Sequence, residues 1–569
     1  MQNHSKHFTN HRQPSTKPKA PMATAIESLE ARIAPAAITI NAALKTATWT
    51  DFDGDIVTLK YSTNAPTFST TDQGMGLIVD KIGLTVADNN LESFTLKVKA
   101  GPLGNGHVDL GHIAGTGVPL KSWTSPTASV LDFDCGDGTT GIGSLVIGSL
   151  GVINLDKFNM SGASAVSDIM GKTGSALLRG DIDGTALRFT NPGPMKSLTV
   201  TGSLRGDHVP AVGLSSGILA ASGTGSIQNL TIGGGIIGGE ASGEGQLSVQ
   251  LPVTNLTIKG SIIGGTAESA GAVFASGKVV KIGGNIFGGN QFATGVVALD
   301  GVKSLTIGGS LIGGEEAGAG NVGLSSSPGV TVVIKGGIKG GFETNATLLG
   351  RAGSFLAQDD VKSLTIGGDL VAGSYGAGTQ LSYNGAVIVN GTIGTLKISG
   401  GIYGNNGTAA MILAKGSVPT KAGNYNAIGK LTVGVGVSYG YIATGHASDT
   451  ATFADRIGNA ENPDAGIGAV TVGGDWYHST LTAGINDANS TGFSTGDTHS
   501  MGDADRQAVL GPVVIKGFIT DNPAAAGFSG FGADKIASII ANGVKIFKSG
   551  DASRSLDVQN FVDVKEFSW

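Results

Sequence analysis

The densest run of chemically capable side chains is Asp51-Phe52-Asp53-Gly54-Asp55, three carboxylates at alternate positions around a glycine. Hard oxygen ligands converging on a glycine turn are what Ca²⁺ takes. The run reads DxDGD, not the DxDxDG of an EF-hand loop, and the bidentate Glu at position twelve is missing. Two readings stand: a weak Ca²⁺ site completed by carbonyls, water or a neighbouring loop, and a solvated acidic turn. Asp132, Asp134 and Asp137 form a second acidic turn with the same two readings. His107 and His112 flank a Gly-rich turn without a third ligand at zinc spacing. A further set, Arg179, Asp181, Asp183, Arg188, Arg205, Asp207 and His208, gathers residue types that do acid and base work. It includes two Arg-Gly-Asp tripeptides, which also read as a surface ladder of paired charges.

Composition bounds what can hold these groups. The chain has 569 residues, 95 of them Gly, only 14% charged, with a net charge of −6. That balance gives no support for a nucleic-acid partner. One cysteine, Cys135, excludes an intramolecular disulfide framework and any multi-Cys metal site. No apolar run is long enough for a transmembrane segment. No P-loop, GxSxG elbow or HExxH occurs, and the Gly pairs do not open helices as a dinucleotide site requires.

The Gly excess follows a repeat. An apolar–Thr/Lys–apolar triplet leads into a Gly pair and then a second short apolar pair, as in Leu230-Thr231-Ile232-Gly233-Gly234 with Ile236-Ile237. Leu256-Thr257-Ile258, Val280-Lys281-Ile282, Leu305-Thr306-Ile307, Leu364-Thr365-Ile366 and Leu396-Lys397-Ile398 continue it. Weaker copies centre on Val98, Ile147, Leu178, Val200, Ile334, Val433, Val472 and Ile515. Ile258 to Ile282 is 24 positions and Ile282 to Ile307 is 25. Such periods suit one coil of a parallel β-helix, and longer ones the same coil with an insertion.

A third short strand precedes many triplets, as at Val273-Phe274-Ala275 and Phe355-Leu356-Ala357. Period-2 geometry turns Leu305 and Ile307 inward and Thr306 outward. The Gly pairs are expected to supply positive φ at the corners and to let neighbouring backbones approach closely. The expected fold is therefore all-β: a right-handed parallel β-helix of about 12–15 coils, a rod of roughly 65 Å at ~4.8 Å per coil. Residues 38–100 read as a β-rich lead-in, 101–520 as the β-helix with loop insertions at about 440–510, and 521–569 as a C-terminal cap. Within the cap, 534–541 reads as a short helix or strand.

Residues 1–37 are polar, basic and without periodicity, a disordered tail. Its end, Ser28-Leu29-Glu30-Ala31-Arg32-Ile33-Ala34-Pro35, resembles the LEPR-type N-terminal motif of large exported and surface proteins of some environmental bacteria, with Ala31 in place of the Pro. The resemblance implies export to the cell surface or the extracellular space. The expected function is a non-enzymatic β-solenoid, a structural spacer or adhesion surface for cell-surface polysaccharide or other surface proteins, without an obligatory cofactor. The alternative is a carbohydrate-active β-helix enzyme, a polysaccharide lyase or glycoside hydrolase, using the set Arg179 to His208.

Overall fold

The structure, a computed structural model, describes residues 37–72, 76–85, 91–151, 166–206, 216–343, 350–375, 383–405, 407–417, 425–446, 460–486, 498–499, 506–521, 530–552, 554–555 and 563–567. Every described element is a β-strand, and most pairings are parallel. The tail with its LEPR-like motif lies outside the described residues up to position 36.

The strands stack in three parallel ladders, each strand pairing with its counterpart one repeat later. One ladder runs through Val297–Asp300, Val322–Ser325, Phe355–Ala357 and Val387–Val389. A second takes the sequence triplets: Val280 pairs with Leu305, Leu305 with Val332, and Val332 with Leu364. A third consists of two-residue strands, Ile286–Phe287, Leu311–Ile312, Ile338–Lys339 and Leu370–Val371. The ladders continue through 440–510 by way of Gly440–Thr444, Ala465–Val472, Trp476–Tyr477 and Thr480–Ala483.

Alternation decides what faces the core. Leu230, Ile232, Leu256, Ile258, Leu305, Ile307, Leu364 and Ile366 are fully buried, while Thr231, Thr306 and Thr365 are half-buried on the opposite face. Every interior Leu or Ile removed from water contributes roughly 1.5–3 kcal/mol. Larger rings fill the two ends of this core. Phe94, Trp123 and Phe133 stack at centroid distances of 5.3 and 5.5 Å near the start, and Trp476 meets Phe531 at 5.3 Å near the end.

Of the two roles expected of the Gly pairs, close approach holds and positive φ does not. None of Gly233, Gly234, Gly308 and Gly309 has positive φ. A Cβ on Gly308 would sit 2.1 Å from the carbonyl oxygen of Gly283, so the pair is dictated by the close approach of adjacent repeats. The left-handed conformation falls instead just before the first-ladder strands, at Gly295 with φ 62° and Gly320 with φ 71°. The residue before several third-ladder strands does further work. Asp181, Ser261, Asn285, Ser310 and Asp369 each accept a backbone N–H from the next repeat through a side-chain oxygen, at 2.6–3.1 Å. These side chains satisfy corner amides that the ladders leave unpaired.

Antiparallel pairing marks both ends. Thr46–Thr50, Ile56–Tyr61 and Glu92–Lys99 pair antiparallel, and the other edge of Glu92–Lys99 pairs parallel with the start of Leu120–Gly136, so the strand that holds Val98 joins the lead-in to the parallel stack. Segment 534–541 is strand: Ser538–Ala541 turns back on Val544–Lys548 through Asn542-Gly543, both at positive φ.

Candidate functional site

The Asp51–Asp55 turn closes the hairpin between Thr46–Thr50 and Ile56–Tyr61. Gly54 takes φ 97°, and nothing lies within 4 Å of a Cβ placed there, so the requirement is conformational. The amide of Asp51 donates to the carbonyl of Asp55 at 2.9 Å, and the amide of Asp55 donates to Asp51 Oδ1 at 2.8 Å. The three carboxylates are brought together, each offering an oxygen within 4.8 Å of the others.

Their environments differ. Asp55 is fully buried; its Oδ1 accepts from the Gly101 amide at 2.8 Å, and its Oδ2 from the amides of Gly106 at 2.6 Å and His107 at 3.2 Å. Those donors satisfy its oxygens and pin the hairpin to segment 101–107. Asp53 Oδ2 accepts more weakly from the Asn105 amide at 3.3 Å, and Asp53 Oδ1 is buried with no hydrogen-bond partner among the described residues. Burial, and then a hydrogen bond shared with Asp53, push the Asp51 carboxyl up to about 7, against the pull of the Asp55 amide. Asp51 and Asp53 open on a cavity of about 120 Å³ with Leu77, Ile78, His107 and Asp109 on its walls. His107 Nε2 lies 2.8 Å from Ser129 Oγ, which lies 2.6 Å from Ser149 Oγ.

The second acidic turn divides. Asp137 Oδ1 accepts from the amides of Thr139 at 2.8 Å and Thr140 at 2.7 Å, which hold its carboxyl below the usual range. Asp132 is buried against His112 Nδ1, and Asp134 Oδ2 lies 3.8 Å from His112 Nε2. The contact with Asp132 raises the His112 pKa above its ordinary value. Sequence reading missed this grouping. Lys81, His112 and Asp132 are consecutive partners across parallel strands, a relation visible only once the register is known.

The set Arg179 to His208 is spread over several places. Arg179 is exposed just beyond the strand Ser175–Leu178, and Asp181 is occupied as a corner acceptor for the Ser203 amide. Asp183 and Arg205 are register partners on the third ladder, with Asp183 only 8% exposed and 3.5 Å from Ser216 Oγ. Arg188 is exposed on the first ladder beside Asp168 and Ala220. Asp207 and His208 lie outside the described residues. Compared with known protein families, curated proteins and solved structures, the chain matches none.

Proposed function

We propose that the chain is a right-handed parallel β-helix, exported to the cell surface or secreted, that serves as a non-enzymatic spacer presenting a binding surface. One observation carries the reading. The described carboxylates of the Arg179 to His208 set are held by the architecture, Asp181 as a corner acceptor and Asp183 beside Arg205 on a ladder, and Asp55 is spent as a hairpin pin. A catalytic site needs such groups free to move protons at a bound substrate.

The test is to incubate the purified chain with neutral and acidic polysaccharides and follow release of reducing ends. No release is expected. Depolymerisation lost on Asp181→Ala or Asp183→Ala would establish the carbohydrate-active alternative. A second reading, a weak Ca²⁺ site that orders the N-terminal end, is favoured by the unpartnered Asp53 Oδ1 in a group whose three carboxylates each bring an oxygen within 4.8 Å of the others.

A further inference from the structure

A groove of about 640 Å³ crosses five successive repeats on the third-ladder side of the molecule, from Gly288 to Asn405. It has the size of a ligand site, and its shape follows from the repeat. After the two-residue strand in the first four of these repeats come two positions almost free of side chain, as in Gly313-Gly314 and Gly340-Gly341. Packing requires them: a Cβ on Gly314 would stand 1.8 Å from the Gly289 carbonyl oxygen, and one on Gly313 would stand 2.3 Å from the Gly341 nitrogen. Side chains rise on either side of this bare floor. Ile312 and Lys339, register partners, form one rim. Glu315, Phe342 and Ser374 form the other, stepping from repeat to repeat through bonds such as Phe342 N–H to the Gly314 carbonyl at 3.0 Å. The result is a trough along the stacking axis, roughly 19 Å over four steps of ~4.8 Å.

The chemistry of the trough limits what fits. The first amide of each floor pair is already spent between repeats, Gly288 to Ile312, Gly313 to Lys339 and Gly340 to Val371, at 2.8–2.9 Å. An extended peptide adding as a strand would need such groups free. The rims carry one cation, Lys339, and one anion, Glu315, so a polyanion gains nothing net from charge. What remains is a flat floor of glycine CH₂ groups, a 46%-exposed Phe342 ring, and neutral donors and acceptors at Asn290, Ser374 and Asn405. An uncharged sugar polymer offers the matching surface, apolar C–H faces bordered by hydroxyls.

We infer that this trough binds a neutral polysaccharide chain lying along the stacking axis. The inference rests on reading the molecule as a binding surface that does not cut its ligand. Native affinity electrophoresis of the full chain through dextran, hydroxyethyl cellulose, galactomannan and polygalacturonate tests it. At least one neutral polymer should retard the protein, and 0.5 M NaCl should leave the retardation unchanged. Phe342→Ala and Ser374→Trp, at exposed positions, should raise the apparent Kd tenfold or more without lowering the melting temperature. Phe274→Ala, exposed on the first ladder, should behave as the parent chain. Retardation by polygalacturonate alone, by no polymer, or equally in Ser374→Trp would overturn the proposal. Reducing-end release from the retarding polymer separates the two claims. Cutting would end the non-enzymatic reading and leave the trough standing, whereas absence of both binding and cutting would end the trough alone.

Discussion

Asp51 and His446 titrate in opposite senses, and together they shape how stability depends on pH. Asp51 has its pKa moved from 3.8 to about 7, so between those values the folded chain holds a proton that the unfolded chain releases. Stability should therefore fall as pH rises through that window. His446 is fully buried, its Nε2 3.0 Å from the Ile485 carbonyl oxygen, and burial pushes its pKa from 6.5 down to about 4. The unfolded chain takes up that proton first, so stability should fall as pH drops from 6.5 towards 4. Thermal melts from pH 4 to 8 should show both slopes, the first removed by Asp51→Asn and the second by His446→Gln. Millimolar Ca²⁺ should raise the melting temperature at pH 8 more than at pH 6, because a cation must displace the Asp51 proton. An Asp53→Asn variant that responds to Ca²⁺ as the parent does would sink the metal reading. Sequence reading located this triad by spacing alone. It could not separate Asp55 from its neighbours, because the amides that saturate Asp55 come from residues 101, 106 and 107, nearly fifty positions away.

The strand elements were the most legible level, because period-2 alternation records burial directly. Leu305-Thr306-Ile307 tells which face is core, and the structure buries those two apolar residues. Of the two roles expected of the Gly pairs, only close approach holds, and the reason is physical. Positive φ and steric exclusion both select glycine, and only the neighbouring repeat, with the Gly283 carbonyl against Gly308, distinguishes them. Val98 lies on a strand that pairs antiparallel with Ile56–Tyr61 and parallel with Leu120–Gly136, two directions that alternation alone cannot tell apart. Position in the stack then sets the cost of a buried charge. Ile307→Asp places a carboxylate in a fully buried interior column and should cost several kcal/mol. Val98→Asp, half-buried in the lead-in, should cost much less. Urea titrations of the two variants compare them, and equal losses would argue against a core built repeat upon repeat.

At the scale of the whole molecule, each repeat touches chiefly its neighbours, so stability and shape should both be additive along one axis. The antiparallel lead-in and the Asn542-Gly543 hairpin cover ends that would otherwise offer unpaired strand edges to another copy. The same regularity lays the trough across five repeats and aligns outward residues in columns. Thr199, Thr231, Thr257, Lys281 and Thr306 are successive register partners, and the column continues through Val333, Thr365, Lys397, Thr432 and Thr471. Pulsed electron paramagnetic resonance between spin labels placed in pairs on this column tests the stacking directly, with the buried Cys135 replaced by Ser. Distances should grow linearly at ~4.8 Å per step, to roughly 34 Å for Thr231 with Thr432 and roughly 43 Å for Thr199 with Thr471. Distances that fail to increase with the number of repeats between the labels would contradict the parallel stack on which the whole account depends.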